Sequence, residues 1–165
     1  MLALLPLKTS KTFLNPRIDF VTALLDVNAL IALLDSEHME HRTMRTWFQK
    51  HHHAGWSTCP LTENGMVRVL SQRTYPSGQR TPAEAIQALR ALKARFAASH
   101  EFWPDDLSLS EENLFEIELL AGPAQITDAY LLALAKHHNG VLASFDRSLA
   151  WHAVRGGSES LVKHP

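Results

Sequence analysis

Four acidic residues stand where a chain of alternating strands and helices would expose them on one edge. Asp26 ends the apolar run Phe20-Val21-Thr22-Ala23-Leu24-Leu25, and Asp146 follows the run Val141-Leu142-Ala143-Ser144-Phe145. Glu63 and Asp128 fall in the expected first turns of two helical stretches, one after Pro60 and one after Thr127. In an open parallel sheet, strand C-termini and the N-termini of the following helices converge on one edge, where ligands bind. Residues as distant in sequence as Asp26 and Asp146 can therefore meet. Carboxylates gathered without compensation raise one another's pKa and either hold protons or destabilise the fold. A divalent cation reverses that penalty, and hard oxygen ligands suit Mg2+ or Mn2+. A metal held in this way activates water and neutralises charge on a phosphodiester under attack. The helix N-termini beside Glu63 and Asp128 are expected to help keep those groups ionised. Any one of these acids alone is equally well a turn or cap residue. Four at equivalent edges are harder to explain that way.

The elements that must position them follow from apolar patterning. Residues 20–25 read as a strand covered on both faces, because the run is nearly continuous rather than alternating. Asn28 to Leu34 is apolar in a helical pattern, and a second helix carries Met39, Trp47 and Phe48 to about His52. Trp56 to Cys59 reads as a second strand, and Leu61 to Leu70 as a helix. Pro76-Ser77-Gly78 is a loop. Thr81-Pro82-Ala83-Glu84 is a helix start with Thr as cap, Pro in the first turn and Glu closing a capping box. Ile86, Leu89, Leu92 and Phe96 then recur at helical spacing. His100 to Trp103 is an expected third strand, Glu111 to Leu120 a short helix ended by Gly122-Pro123. Thr127 is the expected cap of a helix over Asp128–His138, so apolar that it should be buried on most sides. Val141–Ser144 and Leu161–Val162 complete the expected strands. Strands alternating with helices imply an α/β protein, a three-layer α/β/α sandwich around a mostly parallel sheet. Residues 20–165 form one expected domain, and residues 1–19 an N-terminal extension or flexible arm.

Four ordered segments carry a family resemblance. Leu24-Leu25-Asp26-Val27-Asn28-Ala29-Leu30-Ile31-Ala32-Leu33 resembles the opening motif of PIN domains, specifically of the toxin ribonucleases of VapBC toxin–antitoxin pairs. Cys59-Pro60-Leu61-Thr62-Glu63-Asn64-Gly65 is similar to their second acidic motif, Ile126-Thr127-Asp128-Ala129-Tyr130-Leu131 to the third, and Leu142-Ala143-Ser144-Phe145-Asp146-Arg147 to the fourth. The likeness covers roughly residues 21 to 150 in the family order and does not extend over residues 1–19. It implies that Asp26, Glu63, Asp128 and Asp146 are the catalytic, metal-holding acids, with Mg2+ or Mn2+ as cofactor. Asn28, Thr127 and Ser144 would be polar supports. It also implies an endoribonuclease that cuts structured RNA (tRNA or rRNA loops), is restrained by a cognate antitoxin protein and is a homodimer.

The remaining composition narrows the partners. Sixteen Lys and Arg against 17 Asp and Glu give a formal net charge of -1, so overall charge carries no nucleic-acid footprint. The distribution is uneven. Between residues 68 and 95 six basic residues face only Glu84, whereas residues 96–126 hold seven acids and no Lys or Arg. Folded, this could give one positive and one negative face, or simply solvated helix faces and loops. Arg68, Arg73 and Arg147 are candidates for RNA phosphate contacts. Of the four tryptophans, Trp47 and Trp56 have core-like neighbours, while Trp103 and Trp151 are free to stack on unpaired bases. The single Cys59 reads as a buried small residue and excludes an intramolecular disulfide. Among ten histidines, the run His51-His52-His53 points in three directions on a helix and cannot chelate one tetrahedral zinc. His38 and His41 are expected at the rim of the acidic site or on polar surface. No run approaches the roughly 20 apolar residues of a membrane span, and the start lacks signal-peptide order, so the chain reads as cytoplasmic.

Two other readings remain. A phosphatase of the haloacid-dehalogenase type would also put a nucleophilic Asp after the first strand, but it needs a second acid two residues on, where Asn28 stands. A catalytically inactive PIN-fold module binding RNA or protein would tolerate loss of an acid, and all four are present.

Overall fold

The computed structural model describes residues 21–165. The expected arm over residues 1–19 and the start of the first strand at Phe20 lie outside the described residues. Among the described residues, five short strands form one sheet: β1 (Ala23–Leu25), β2 (Trp56–Thr58), β3 (His100–Phe102), β4 (Val141–Ala143) and β5 (Val162–Lys163). Their order is β3-β2-β1-β4-β5, and every pairing is parallel. The chain therefore steps outward from β1 to β3, returns to lay β4 on the other side of β1, and finishes at β5. The reversal of strand order between β1 and β4 leaves a crevice at their C-terminal ends.

The helices are α1 (Val27–Leu34), α2 (His41–His51), α3 (Pro60–Leu70), α4 (Pro82–Arg95) and α5 (Ala124–His137). The first four pack together on one face of the sheet, and α5 covers the other. Side chains alternate across a strand, and both sides of the central strands are used. Ala23, Leu25, Val141 and Ala143 enter the core beneath α1–α4, while Leu24 and Leu142 enter the core beneath α5. Leu24, Leu25 and Leu142 are fully buried, each stabilising the fold by about 1.5–3 kcal/mol relative to exposure. This double burial is why the strand runs are apolar throughout. In α5, every residue from Ala129 to Ala135 is buried, as its composition predicts.

Several elements differ from the expectation for identifiable reasons. Helix α5 begins at Ala124, not at Asp128, so Thr127 lies inside the helix and caps nothing. Pro123, expected to terminate a preceding helix, instead initiates this one. Its φ of -62° and ψ of -27° are already helical, and its missing N–H is no loss at that position. Residues 111–120 form turns and a single 3-10 turn at Ile117–Leu119 rather than a helix. A helix there would set Glu112 four residues from Glu116, a like-charge pair. The backbone instead bridges Phe115 to Val154 in antiparallel sense, burying Phe115 in the α5-side core. In α4 the inward residues are Ala85 and Leu89, and Ile86 is exposed. The capping box of α4 is present, with the Glu84 N–H donating to Thr81 Oγ1 at 3.2 Å and the Thr81 N–H to Glu84 Oε2 at 2.7 Å. Among the described residues, no helix is long and apolar enough to cross a membrane.

Candidate active site

The crevice between β1 and β4 gathers three of the four acids. Beyond the ladder pair Leu25–Ala143, the Asp26 N–H donates to the Ala143 carbonyl at 3.0 Å, which sets Asp26 next to Ser144. Asp26 is 5% exposed and is the residue from which α1 starts. Ser144, fully buried, donates its hydroxyl to Asp26 Oδ2 at 2.9 Å and accepts the backbone N–H of Asp146 at 3.1 Å. One serine thus ties two acids from neighbouring strands. Asp146 is oriented further by Ser148, whose N–H and hydroxyl both donate to Oδ1, at 2.7 and 2.6 Å. Asp128 reaches the same place from the second turn of α5, within hydrogen-bond reach of Asp146. Ser144, one of the residues singled out in the sequence, thus bonds to both Asp26 and Asp146.

The electrostatics follow from this crowding. Burial raises the Asp26 carboxyl, opposed by the Ser144 hydroxyl and by the N–H groups of Val27 and Asn28, and Asp146 adds repulsion. Asp128 is pushed up to about 6, first by burial, then by the charges of Asp26 and Asp146. The expectation that a helix N-terminus keeps Asp128 ionised therefore fails, because the residue sits beyond the first turn of α5. Asp146 moves the other way, held down chiefly by its two bonds from Ser148 and also by the proton it accepts from Asp128. The carboxylates are not drawn into a closed cage. Among the described residues, only Asp106, His137 and His138 bring one ligand atom each within 4.8 Å of the others. An open set of carboxylate oxygens is the donor type that hard divalent cations accept while keeping several waters.

Among the described residues, no hydrogen bond joins Glu63 to the other acids. It lies in the first turn of α3, as expected, with its carboxylate held by the Thr58 hydroxyl at 2.6 Å and by Lys93 Nζ at 2.7 Å. His100 shares the Thr58 hydroxyl at 3.0 Å. Thr58, Lys93 and His100 come from three different elements and carry no local motif that would link them to Glu63 in the sequence. Gly65, two residues beyond Glu63, lets α3 approach α1: a Cβ there would lie 2.7 Å from Val27 Cγ2.

The remaining candidates disperse. Asn28 and Thr127 are exposed beside Asp26 and Asp128, and among the described residues neither side chain makes a hydrogen bond. Arg147 is exposed next to Asp146. Arg73 belongs to the loop after α3, and Tyr75, Ser77 and Arg80 of that loop bind Asp35 at the far end of α1. Arg73 thus belongs to the loop that binds the C-terminal end of α1, whereas Asp26 stands at its start. Arg68 is exposed in the last turn of α3, at the opposite end of that helix from Glu63. His38 and His41 follow α1, where the Ala32 carbonyl holds the His41 ring, so they do not rim the acids. Trp56 and Trp103 are core residues, and Trp151 is the exposed one. Cys59 is buried, with its thiol pushed up to about 11 by burial, which excludes a nucleophilic role.

A parallel sheet with carboxylates converging at its switch point is the arrangement of PIN domains, and the family profile described as PIN domain matches residues 23–154. The chain belongs to that family. Within it, the chain belongs with the VapC ribonucleases. It is 45% identical to Ribonuclease VapC44 of Mycobacterium tuberculosis over 138 residues, 83% of this chain and 94% of that protein. It is 40% identical to Ribonuclease VapC39 of the same organism over 141 residues, 86% of this chain and 100% of that protein.

Proposed function

We propose that this chain is a metal-dependent endoribonuclease, the toxin of a toxin–antitoxin pair, with Asp26, Asp128 and Asp146 as its central catalytic acids. The observation that carries the reading is the crowding itself: Asp128 is raised to about 6 by burial and by two neighbouring carboxylates. Such a cluster calls for either a proton or a cation. Mg2+ or Mn2+ held by these acids would activate water and neutralise the charge growing on the scissile phosphate. The chain's own residues prepare for this. Ser144 fixes the Asp26 carboxylate while holding the backbone of Asp146. Ser148 presents Asp146 in its ionised form. Asp128, raised to about 6, is the group suited to exchange a proton during turnover. Glu63, paired with Lys93 at the same sheet edge, is the outer member of the set.

On this reading the substrate is structured RNA, a tRNA or rRNA loop, with Arg147 as the nearest exposed cation for a flanking phosphate. Arg68 and Arg73 serve only a long substrate that reaches around α3. The protein works in the cytoplasm as a homodimer, restrained by its cognate antitoxin. The test is direct. Protein freed of any partner is expected to cut RNA with Mg2+ or Mn2+ and to stop with EDTA, and Asp26→Asn is expected to be inactive yet folded. Cleavage that survives EDTA, or full activity in Asp26→Asn, overturns the carboxylate mechanism. No cleavage of any RNA by the intact chain would favour the non-catalytic module.

A further inference from the structure

The C-terminal end of α5 carries a second group of metal-type ligands, unrelated to the acids. Asp106, His137 and His138 each offer one ligand atom, and these atoms lie within 4.8 Å of one another. We propose that they form a zinc site that staples the chain after β3 to the end of α5. His137 lies nine residues beyond Asp128 on α5, about 13 Å along the helix, so the two sites are separate.

The donor chemistry selects the ion. Two imidazoles and one carboxylate suit Zn2+ and its borderline neighbours, in contrast to the all-oxygen set around Asp26. Three protein ligands leave a fourth tetrahedral position for water. The location is also favourable, because the unpaired carbonyls at a helix C-terminus attract a cation.

The surroundings hold the ligands in position. The His138 ring stacks on the Trp103 indole, with centroids 4.5 Å apart and planes 9° from parallel. Trp103 is itself 4% exposed and donates its Nε1–H to Glu101 at 2.9 Å. Asp106 follows three residues later, so the contact that fixes His138 also anchors the strand exit that delivers the carboxylate. Among the described residues, the Nε2 of His138 is shielded from solvent and has no hydrogen-bond partner, an orphaned polar atom that a bound ion would help to account for. In the same loop, Asp105 accepts the Leu61 N–H at 2.9 Å, at the start of the helix that carries Glu63. Stapling this loop therefore steadies the entrance to α3 as well.

The experiment is zinc binding by full-length, chelator-stripped protein, read by competition with a zinc indicator and by thermal melting. The parent for every comparison is Asp26→Asn, which weakens the acid site as a competitor. Asp106→Asn and His137→Ala alter exposed side chains and leave the Trp103 stack intact. Expected is one zinc per chain in the parent, with affinity weakened by about tenfold or more in each variant, and a zinc-induced rise in melting temperature that both variants lose. Zinc bound with equal affinity in all three proteins overturns the proposal, as does no binding by the parent. Because the readout is zinc rather than cleavage, its outcome is independent of the ribonuclease assignment.

Discussion

Asp128 shows most clearly what the site costs the fold. Its carboxyl titrates at about 6 instead of the ordinary 3.8, because burial, Asp26 and Asp146 all oppose its charge. The native state therefore retains a proton that the unfolded chain releases. With a raised carboxylate, native stability is fully present below the ordinary pKa and declines as pH rises through the window from 3.8 to about 6. A shift of about two units corresponds to roughly 3 kcal/mol, reduced to about 1–2 kcal/mol by the partial exposure of the group. In the absence of divalent cations, Asp128→Asn should therefore melt above the parent near neutral pH and converge with it in acid. Parallel melting curves across that range would show that crowding stores no strain there. Activity should fall as pH drops below about 6, when Asp128 takes up its proton and competes with the cation. Asp26→Asn should lose at least about a hundredfold in RNA cleavage, a few kcal/mol of transition-state stabilisation. Its melting temperature should not fall, since one buried charge has been removed from a repelling set.

At the level of elements, α1 is pinned at both ends by an aspartate. Asp26 starts it, and Asp35, 1% exposed, ends it. Asp35 accepts from the Tyr75 hydroxyl at 2.7 Å, the Ser77 hydroxyl at 2.7 Å and Arg80 at 3.1 Å. Burial alone would raise its pKa, but these partners and the Glu37 N–H outweigh burial and lower it. The resulting stability is present above the ordinary carboxylate pKa and disappears as pH falls through the depressed value. Asp35→Ala should cost about 2–4 kcal/mol by leaving a guanidinium and two hydroxyls without their acceptor. Denaturant titration checks this through a lowered midpoint at unchanged slope. Asp35 also marks where the sequence stops being legible. The acids at strand ends could be read, because an apolar run followed by Asp is a local pattern and the sheet edge is a general rule. The layers, the parallel sheet and the α4 capping box could be read for the same reason. The Asp35 network could not, because Tyr75, Ser77 and Arg80 lie in a loop some 40 residues later whose path is set only by tertiary packing. Glu63–Lys93 and Thr58–His100 escape for that reason too. Thr127 misled because Pro123 started α5 a turn earlier than the cap-like threonine suggested, and residues 111–120 misled because a buried Phe115 outweighed helical spacing.

Across the whole molecule, the uneven charge of the sequence is sorted by the layers. The basic stretch from Arg68 to Arg95 lies on the α3 and α4 side of the sheet, whereas the acidic stretch packs through Leu107, Leu114 and Phe115 against α5. The acid site lies between these sides, where β1, β4 and α5 meet, and it exists only when all three are assembled. A divalent cation that binds there binds the native state and not the unfolded chain. It must then stabilise the protein by mass action, by about 2.7 kcal/mol at a free concentration of 100 times Kd. For a domain of this size about 1 kcal/mol corresponds to 2–4 °C in Tm, so saturating Mg2+ or Mn2+ should raise the melting temperature by roughly 5–10 °C. The double variant Asp26→Asn, Asp146→Asn should lose that rise while keeping the fold, because Ser144 and the strand pairing of β1 with β4 remain. A rise of the same size in the double variant would mean that the cation binds elsewhere. The sheet edge would then be an acidic surface rather than a metal centre.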